Sequence, residues 1–437
     1  MRSTLWSPLF FVILMGPFQA APASEALQEL LIILKERGSI TEAEYNNIKA
    51  LVNAEERARD EEATSELKVD TKGGVEVTTY DGEFSFELGG RLMIDSVYYN
   101  GSENELGDGT ELRRARIEAE GTMFGDWGYE FGVDFADKDA DIKDAYLNYE
   151  GLYPVKFQFG QFKEPFSLEE LTSSRYITFM ERALPNVFAP GRHIGVGAKY
   201  RAINWTLAGG VFGEAFDDDV SKEGDEGWGA SGRFTYSPWH EDTQALHLGG
   251  ALSYRKINDK QEIEYDIRPE SHVTDVKFLN TDDIEDTDSV LLSGLEAAWV
   301  FGPWSLQGEY LRSDVRRSMG NPDLSFDGWY LFGSWFLTGE SRDYKFKKGS
   351  FGRVRPNNKA GAWELALRYS TLDLDDGPIT GGEAKHWTAG LNWYINPNMR
   401  LMTNYILVDN NLNADDDGDV SGDDDLGIFQ LRMQADF

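Results

Sequence analysis

Read back from its last residue, the chain alternates. Phe437, Ala435, Met433, Leu431 and Phe429 fall on one face of an extended segment, and Asp436, Gln434, Arg432 and Gln430 fall on the other. Successive side chains of a strand point to opposite sides, so this is a strand with one apolar and one polar wall. The same period recurs. Trp363, Leu365, Leu367 and Tyr369 oppose Glu364, Ala366, Arg368 and Ser370. Val155, Phe157 and Phe159 oppose Lys156, Gln158 and Gly160, and Phe131, Val133 and Phe135 oppose Glu130, Gly132 and Asp134. Charged inner faces repeated over many strands cannot pack a dry core. What remains is an all-β fold: a transmembrane antiparallel β-barrel, lipid outside and water inside.

Sixteen strands are expected, at 84–99, 111–124, 127–137, 140–150, 154–163, 192–201, 203–213, 227–237, 244–256, 289–301, 303–313, 325–338, 361–373, 383–395, 398–409 and 425–437. An even number brings both ends of the barrel to one side of the membrane. Short connections are read at Gly125-Asp126, Gly151 to Tyr153, Ala202, Gly302 and Asn396-Pro397. Long ones are read at 100–110, 164–191, 214–226, 257–288, 339–360, 374–382 and 410–424. Barrels carry short turns on the periplasmic side and long loops outside, which sets the orientation.

Hydrophobic content of 41% suits strands that give only every second residue to lipid. The chain has no cysteine, and no stretch reaches the roughly 18 apolar residues of a transmembrane helix. A net charge of −34 argues against nucleic acid as a partner. The acid clusters at Asp217 to Asp219, Asp282 to Asp288, Asp373 to Asp376 and Asp415 to Asp425 fall between strands. They read as solvated outer loops, with divalent ions bridging them to lipopolysaccharide as an addition. Asp415, Asp417 and Asp419 have the spacing of an EF-hand loop, but Val420 and Leu426 replace its glycine and its glutamate, so no metal site is assigned.

Residues 1–23 have the form of a signal peptide: Arg2, an apolar stretch from Leu9 to Met15, and Ala21-Pro22-Ala23 before a cleavage point. Residues 24–67 differ from the rest. Leu27, Leu30, Leu31 and Leu34 recur at helical spacing, Gly38 interrupts, and Thr41 with Glu44 forms a capping box for a second helix through about Val52. Glu55 to Glu66 continues as helix or linker. A short periplasmic coiled coil is expected here, with a solvated tail as the alternative. Residues 68–437 form the barrel.

The period sends Arg114, Arg116, Lys156, Lys199, Arg368, Arg400 and Arg432 into the lumen, with Glu118, Glu120, Glu130, Asp134, Asp144, Glu309, Glu364 and Asp436. Leu112-Arg113-Arg114-Ala115-Arg116 is the densest basic run, with Arg113 on the opposite face. It is either a guanidinium track for anions or is neutralised by Glu118 and Glu120. Residues 164–191 are too apolar for an ordinary surface loop and are expected to fold into the barrel as a constriction; a lid on a neighbouring subunit is the alternative. Its charges are Lys163, Arg175, Arg182 and Arg192 against Glu164, Glu169, Glu170 and Glu181. Constrictions select through rings of charge.

No Gly-x-Ser-x-Gly elbow occurs, and His193, His240, His247, His272 and His386 have no triad or metal spacing. No catalytic residue and no cofactor is assigned. A pore for small hydrophilic solutes is expected. A structural or adhesive barrel tethering envelope layers is the alternative, and open conductance separates the two.

Gly160-Gln161-Phe162-Lys163-Glu164-Pro165-Phe166-Ser167, followed by Glu181-Arg182 and Gly191-Arg192, resembles the phosphate-selective porin O and P family. Leu112 to Arg116, Phe351-Gly352-Arg353-Val354 and Gly361-Ala362-Trp363-Glu364-Leu365 support the resemblance, which covers roughly residues 70–437. It implies a trimeric sixteen-stranded porin of the outer membrane with an infolded loop and an arginine-lined route for phosphate or polyphosphate. By position, its candidate lysines are Lys156, Lys163 and Lys199. The −34 charge departs from an anion-attracting surface and leaves a general porin without anion preference as the alternative.

Overall fold

The computed structural model describes the chain apart from residues 1–30, 32, 36, 38, 66, 72–73, 102–105, 137–139, 217–224, 259–260 and 411–425. The expected leader at 1–23, the helix break at Gly38 and the acidic tracts Asp217 to Asp219 and Asp415 to Asp425 lie outside the described residues.

The chain divides into two compact units, residues 1–68 with 79–81 and residues 69–78 with 82–437. In the first, α1 (Glu42–Ser65) starts on the expected capping box. The Thr41 amide donates to Glu44 Oε2 at 2.8 Å, and the Glu44 amide returns a bond to Thr41 Oγ1 at 3.3 Å.

In the second unit, period-two alternation gives sixteen antiparallel barrel strands among the described residues. They are β1 (Ser85–Asn100), β2 (Gly109–Met123), β3 (Trp127–Asp134), β4 (Asp141–Leu152), β5 (Val155–Lys163), β6 (Arg192–Arg201), β7 (Trp205–Phe212) and β8 (Trp228–Tyr236), followed by β9 (Gln244–Lys256), β10 (Thr287–Phe301), β11 (Trp304–Arg317), β12 (Leu324–Phe336), β13 (Ala362–Asp376), β14 (Ile379–Asn396), β15 (Met399–Asn410) and β16 (Leu426–Asp436). Each pairs with the next, and β16 pairs with β1 from Gly427↔Asn100 to Asp436↔Arg91. Closure removes the edge that an open sheet would expose. On β16, Phe429, Leu431 and Met433 are exposed while Gln430, Arg432, Gln434 and Asp436 are buried. The outer wall also carries aromatic rows. Trp304 stacks on Trp335 at 4.9 Å and Trp363 on Trp393 at 5.3 Å near one rim, and Tyr369 sits 4.9 Å from Trp387 towards the other. Leu365 and Leu367 lie exposed between the rows, as a lipid band requires.

Tight turns lie on one rim, as at Phe124 and Gly125, whose φ values of 53° and 71° match the twist of a two-strand ribbon. Two connections depart from the expected alternation. Residues 374–382 are not a long loop, because β13 and β14 extend until only Gly377 and Pro378 separate them. Residues 337–361 are long but join an even-numbered strand to an odd one, so they belong to the rim of tight turns and not to the loop rim.

The alternation also reverses its meaning near the loop rim. There many inward side chains of β10 to β13 are apolar: Val290, Leu292, Leu311, Val315, Leu324, Phe326, Leu372 and Leu374. They pack against Leu184 and Phe188 of one inserted loop and against Leu279 and Ile284 of another. Arg312 and Asp314 point outward on this stretch of β11, 2.8 Å apart. Beyond the lipid, water bathes the outside of the barrel and inserted loops fill the inside, so the apolar wall faces in.

Candidate functional site

Three segments enter the lumen: 164–191 and 257–286 from the loop rim, and 337–361 from the turn rim. Buried loop backbone needs partners, and lumen side chains supply them. In the first segment, Ser167 caps the short helix α2 (Leu168–Leu171), and Glu309 accepts the Leu168 and Glu169 amides at 2.8 and 2.7 Å. Asn404 Oδ1 accepts the Met180 amide at 2.8 Å. Arg400 donates to the Ile177 carbonyl at 2.8 Å and Arg368 to the Glu181 carbonyl at 3.0 Å. Phe166, Leu168, Phe179 and Leu184 are fully buried.

The segment from the turn rim is tied in the same way. Tyr344 Oη meets His247 Nδ1 at 2.6 Å, and the Phe351 amide donates to Thr172 Oγ1 at 3.3 Å. Arg233 donates to the Gly349 carbonyl and Lys199 to the Lys348 carbonyl, both at 2.8 Å. Arg342 lies over the Phe351 ring at 3.6 Å.

The basic run on β2 is reshaped by its pairing. The register with β1 shifts between Met93 and Ile94, which face Arg114 and Leu112. Arg113 is the extra residue of this bulge, and a bulge re-aims the side chains beside it. Arg113 therefore faces inward, contrary to the strict alternation, and pairs with Glu181 of the inserted loop at 2.8 Å. Arg114 and Arg116 also face inward, and the alternative of pairing with Glu118 and Glu120 is not what forms. Arg116 pairs with Asp134 at 2.6 Å, and Glu118 is taken by Arg91 and Arg175. Arg114 makes no ion pair among the described residues, and its buried Nε has no hydrogen-bond partner.

Cavities with shared walls follow one another. The first, near the loop rim, measures about 400 Å³ and is lined by five Arg and Lys side chains, Arg114 and Arg182 among them, and by the carboxylates Glu181, Asp266 and Glu270. The second measures about 370 Å³ and is lined by nine cationic side chains and five carboxylates. Arg114 and Arg182 belong to both, so they stand at the partition. The third measures about 130 Å³ and shares Lys163, Leu171 and Lys348 with the second. Lys156, Lys199 and Arg233 also line it, and no carboxylate does.

Of the eight residues proposed from sequence, Arg114, Arg116, Lys163, Arg175, Arg182 and Arg192 thus line the second cavity, and Lys156 and Lys199 line the third. Several are neutralised: Arg192 pairs with Asp144 at 2.7 Å, Lys163 with Glu170 at 2.5 Å, and Lys156 with Glu150 at 2.7 Å. Arg182 lies 3.3 Å from Glu170. Sequence reasoning missed Arg91, Arg113, Lys348 and Arg353. The first follows from the period-two phase of β1, and the last belongs to the Phe351 to Val354 run already singled out. Arg113 needed the bulge, and Lys348 needed the fold of residues 337–361.

Three inserted carboxylates are held below the usual range by nearby cations, whereas burial raises the Glu169 carboxyl. Burial pushes the Glu170 carboxyl up, but the Arg182 and Lys163 charges hold it well below the usual range. Burial likewise opposes Arg113 and Arg432 at Glu181, and the arginines prevail. Glu270 is buried beside Arg368, 2.7 Å away, and is brought down to about 2.

The family model for phosphate-selective porin O and P matches residues 86–437. Porin O of Pseudomonas aeruginosa is 32% identical over 403 residues, covering 81% of this chain and 91% of that protein. Among solved structures, an anion-selective porin from Comamonas acidovorans superposes with a TM-score of 0.54 at 14% identity, covering 81% of this chain and all (100%) of that one. The trimer form of OmpT, an outer-membrane protein of Vibrio cholerae, gives 0.51 at 13% identity, covering 81% and 99%.

Proposed function

The chain belongs to the phosphate-selective porin O and P family, making it an outer-membrane porin of a Gram-negative bacterium and not an enzyme, and from that premise we propose that it favours small anions, phosphate or polyphosphate among them. The observation that carries this reading is Arg114. It has no carboxylate partner among the described residues and lies where the first two cavities meet. A solute crossing that partition meets a guanidinium whose geometry matches phosphate oxygens. The cation excess continues into the third cavity, where Lys199 and Lys348 line a wall without acid. A charge in a narrow, poorly hydrated passage acts more strongly than salt-screened acid on the outer loops, so the −34 total does not set the preference.

Arg116, Lys163, Arg175, Arg182 and Arg192, held by carboxylates, position the walls, and Lys156 and Lys199 serve the lower end of the route. The assembly is a homotrimer in lipid and lipopolysaccharide; OmpT of Vibrio cholerae, which shares the fold, has a trimer form. Residues 24–67 add a periplasmic coiled coil, and residues 1–23 are the export leader. Reversal potentials across planar bilayers in gradients of potassium chloride and potassium phosphate test the reading. Anion preference that falls in Arg114→Gln is expected. A wild-type channel that prefers potassium overturns it.

A further inference from the structure

The second cavity holds charges that anion passage does not use. Glu87, Glu120 and Glu130 are direct cross-strand neighbours on the inner face of β1, β2 and β3, Glu87↔Glu120 and Glu120↔Glu130. All three line the cavity. None forms an ion pair among the described residues; Glu130 accepts a hydrogen bond from the Tyr146 hydroxyl. Cations are plentiful around them, but most are committed elsewhere. Arg116 holds Asp134, Arg192 holds Asp144, and Arg91 and Arg175 both hold Glu118. Like charges placed directly opposite on a sheet repel, so this row costs stability.

The row lies at the turn-rim end of β1 and β2, below the arginines. Lys348, on the segment inserted from the turn rim, lines the same cavity and has no ion pair among the described residues. The lower cavity therefore presents acids from the wall and a cation from the insert, within one space of about 370 Å³. For a route that carries anions alone, such a row of acids could only hasten exit, and it would offer nothing to bind.

We propose that this cavity accepts solutes carrying an anionic group and an ammonium group together, in chemical class phosphorylated amines. The anionic group meets Arg114 first and then Lys348, and the ammonium meets the row of Glu87, Glu120 and Glu130. Because the proposal rests on the anion-porin reading above, its test must separate the two.

The experiment compares uptake of 2-aminoethyl phosphate and ethyl phosphate into proteoliposomes holding the full-length porin, with reversal potentials measured on the same preparation. The two solutes are close in size and differ in the ammonium group. The wild type should pass the amine faster by about fivefold, the order expected of one water-exposed charge contact. In Glu120→Gln/Glu130→Gln the ratio should fall to about one, partly because ethyl phosphate speeds up as repulsion is removed. The single variant Glu87→Gln, at the end of the row, should give an intermediate ratio and serves if the double variant does not assemble. Equal uptake by the wild type, the result expected if the acids only hasten anion exit, overturns the proposal, and so does a preference that survives in the variants. A potassium-selective reversal potential is the separate failure of the anion reading itself.

Discussion

Glu270 pins three parts of the molecule at once, and its removal should loosen one of them selectively. It sits on the inserted loop 257–286, fully buried, with its carboxylate 2.7 Å from Arg368 on β13 and 3.0 Å from Thr388 Oγ1 on β14. It also accepts the Leu184 amide of the other inserted loop at 3.2 Å. A carboxyl held at about 2 instead of 4.5 corresponds to about 3 kcal/mol of stabilisation of its ionised, inserted state. Removing one partner of a buried pair gives the same order, about 3–5 kcal/mol, because Arg368 is left buried with a weaker partner in Glu169, 3.7 Å away. Three kcal/mol is a factor of roughly 100 in the balance between inserted and released loop.

In Glu270→Gln, hydrogen exchange at the backbone amides of residues 265–281 should therefore accelerate by about 100-fold, while the barrel strands keep their protection. The pH dependence has a definite sign. The released carboxyl binds its proton more readily than the inserted one, so the stabilisation is complete above about 4.5 and is lost as the pH falls towards 2. Exchange of the wild-type loop should stay flat, after correction for intrinsic rates, from pH 7 to 5. Equal exchange in the variant and the wild type would refute Glu270 as the pin. So would loss of protection spread over every strand, because that would make the residue part of global stability.

Deleting Phe437 should lower the amount of barrel assembled in the outer membrane while export continues, and normal membrane levels of the truncated chain would remove that role. Deleting residues 24–67 should shift cross-linked trimer towards monomer and leave a heat-modifiable barrel; a chain that no longer forms the barrel would show that the two regions are not separable. Phe166→Ala removes a fully buried ring and should cost about 3–5 kcal/mol at the inserted loop, read as faster proteolysis within residues 164–191 with the strands intact.

The wall of the barrel was legible because each strand reports its two faces locally. Trp363 to Ser370 can be read alone as a strand with one apolar and one polar face, and the repetition of that pattern over many strands made the apolar face a lipid face. The contents of the lumen were less legible, for different reasons at different residues. The bulge that turns Arg113 inward is a property of how β1 pairs with β2, and no count along one strand reveals it. The acid row of Glu87, Glu120 and Glu130 is likewise a matter of register between strands. Residues 337–361 are another case. In a closed barrel that begins and ends on the turn side, the connection after an even-numbered strand must lie on that side, so the strand count already placed the segment. Its length suggested the other rim.

The reversal of faces near the loop rim explains why the lumen census fell short there. Assigning apolar residues to lipid works only over the height of the bilayer, where water is available inside and hydrocarbon outside. Above it, Leu311 and Val315 turn inward towards Leu184 and Phe188, while Arg312 and Asp314 face out. A sequence read with one rule along the whole strand sends Leu311 and Val315 to lipid. Two solvent regimes on one strand require two rules, and the change between them marks where the membrane ends and loop packing begins. The same packing makes the inserted loops part of a solid wall, so the passage between the cavities is set by a few side chains, Arg114 and Arg182 first among them. A small change at Arg114, which has no ion pair among the described residues, should therefore alter selectivity without altering the fold, whereas Arg182 also ties the inserted loop through the Glu169, Glu170 and Thr172 carbonyls.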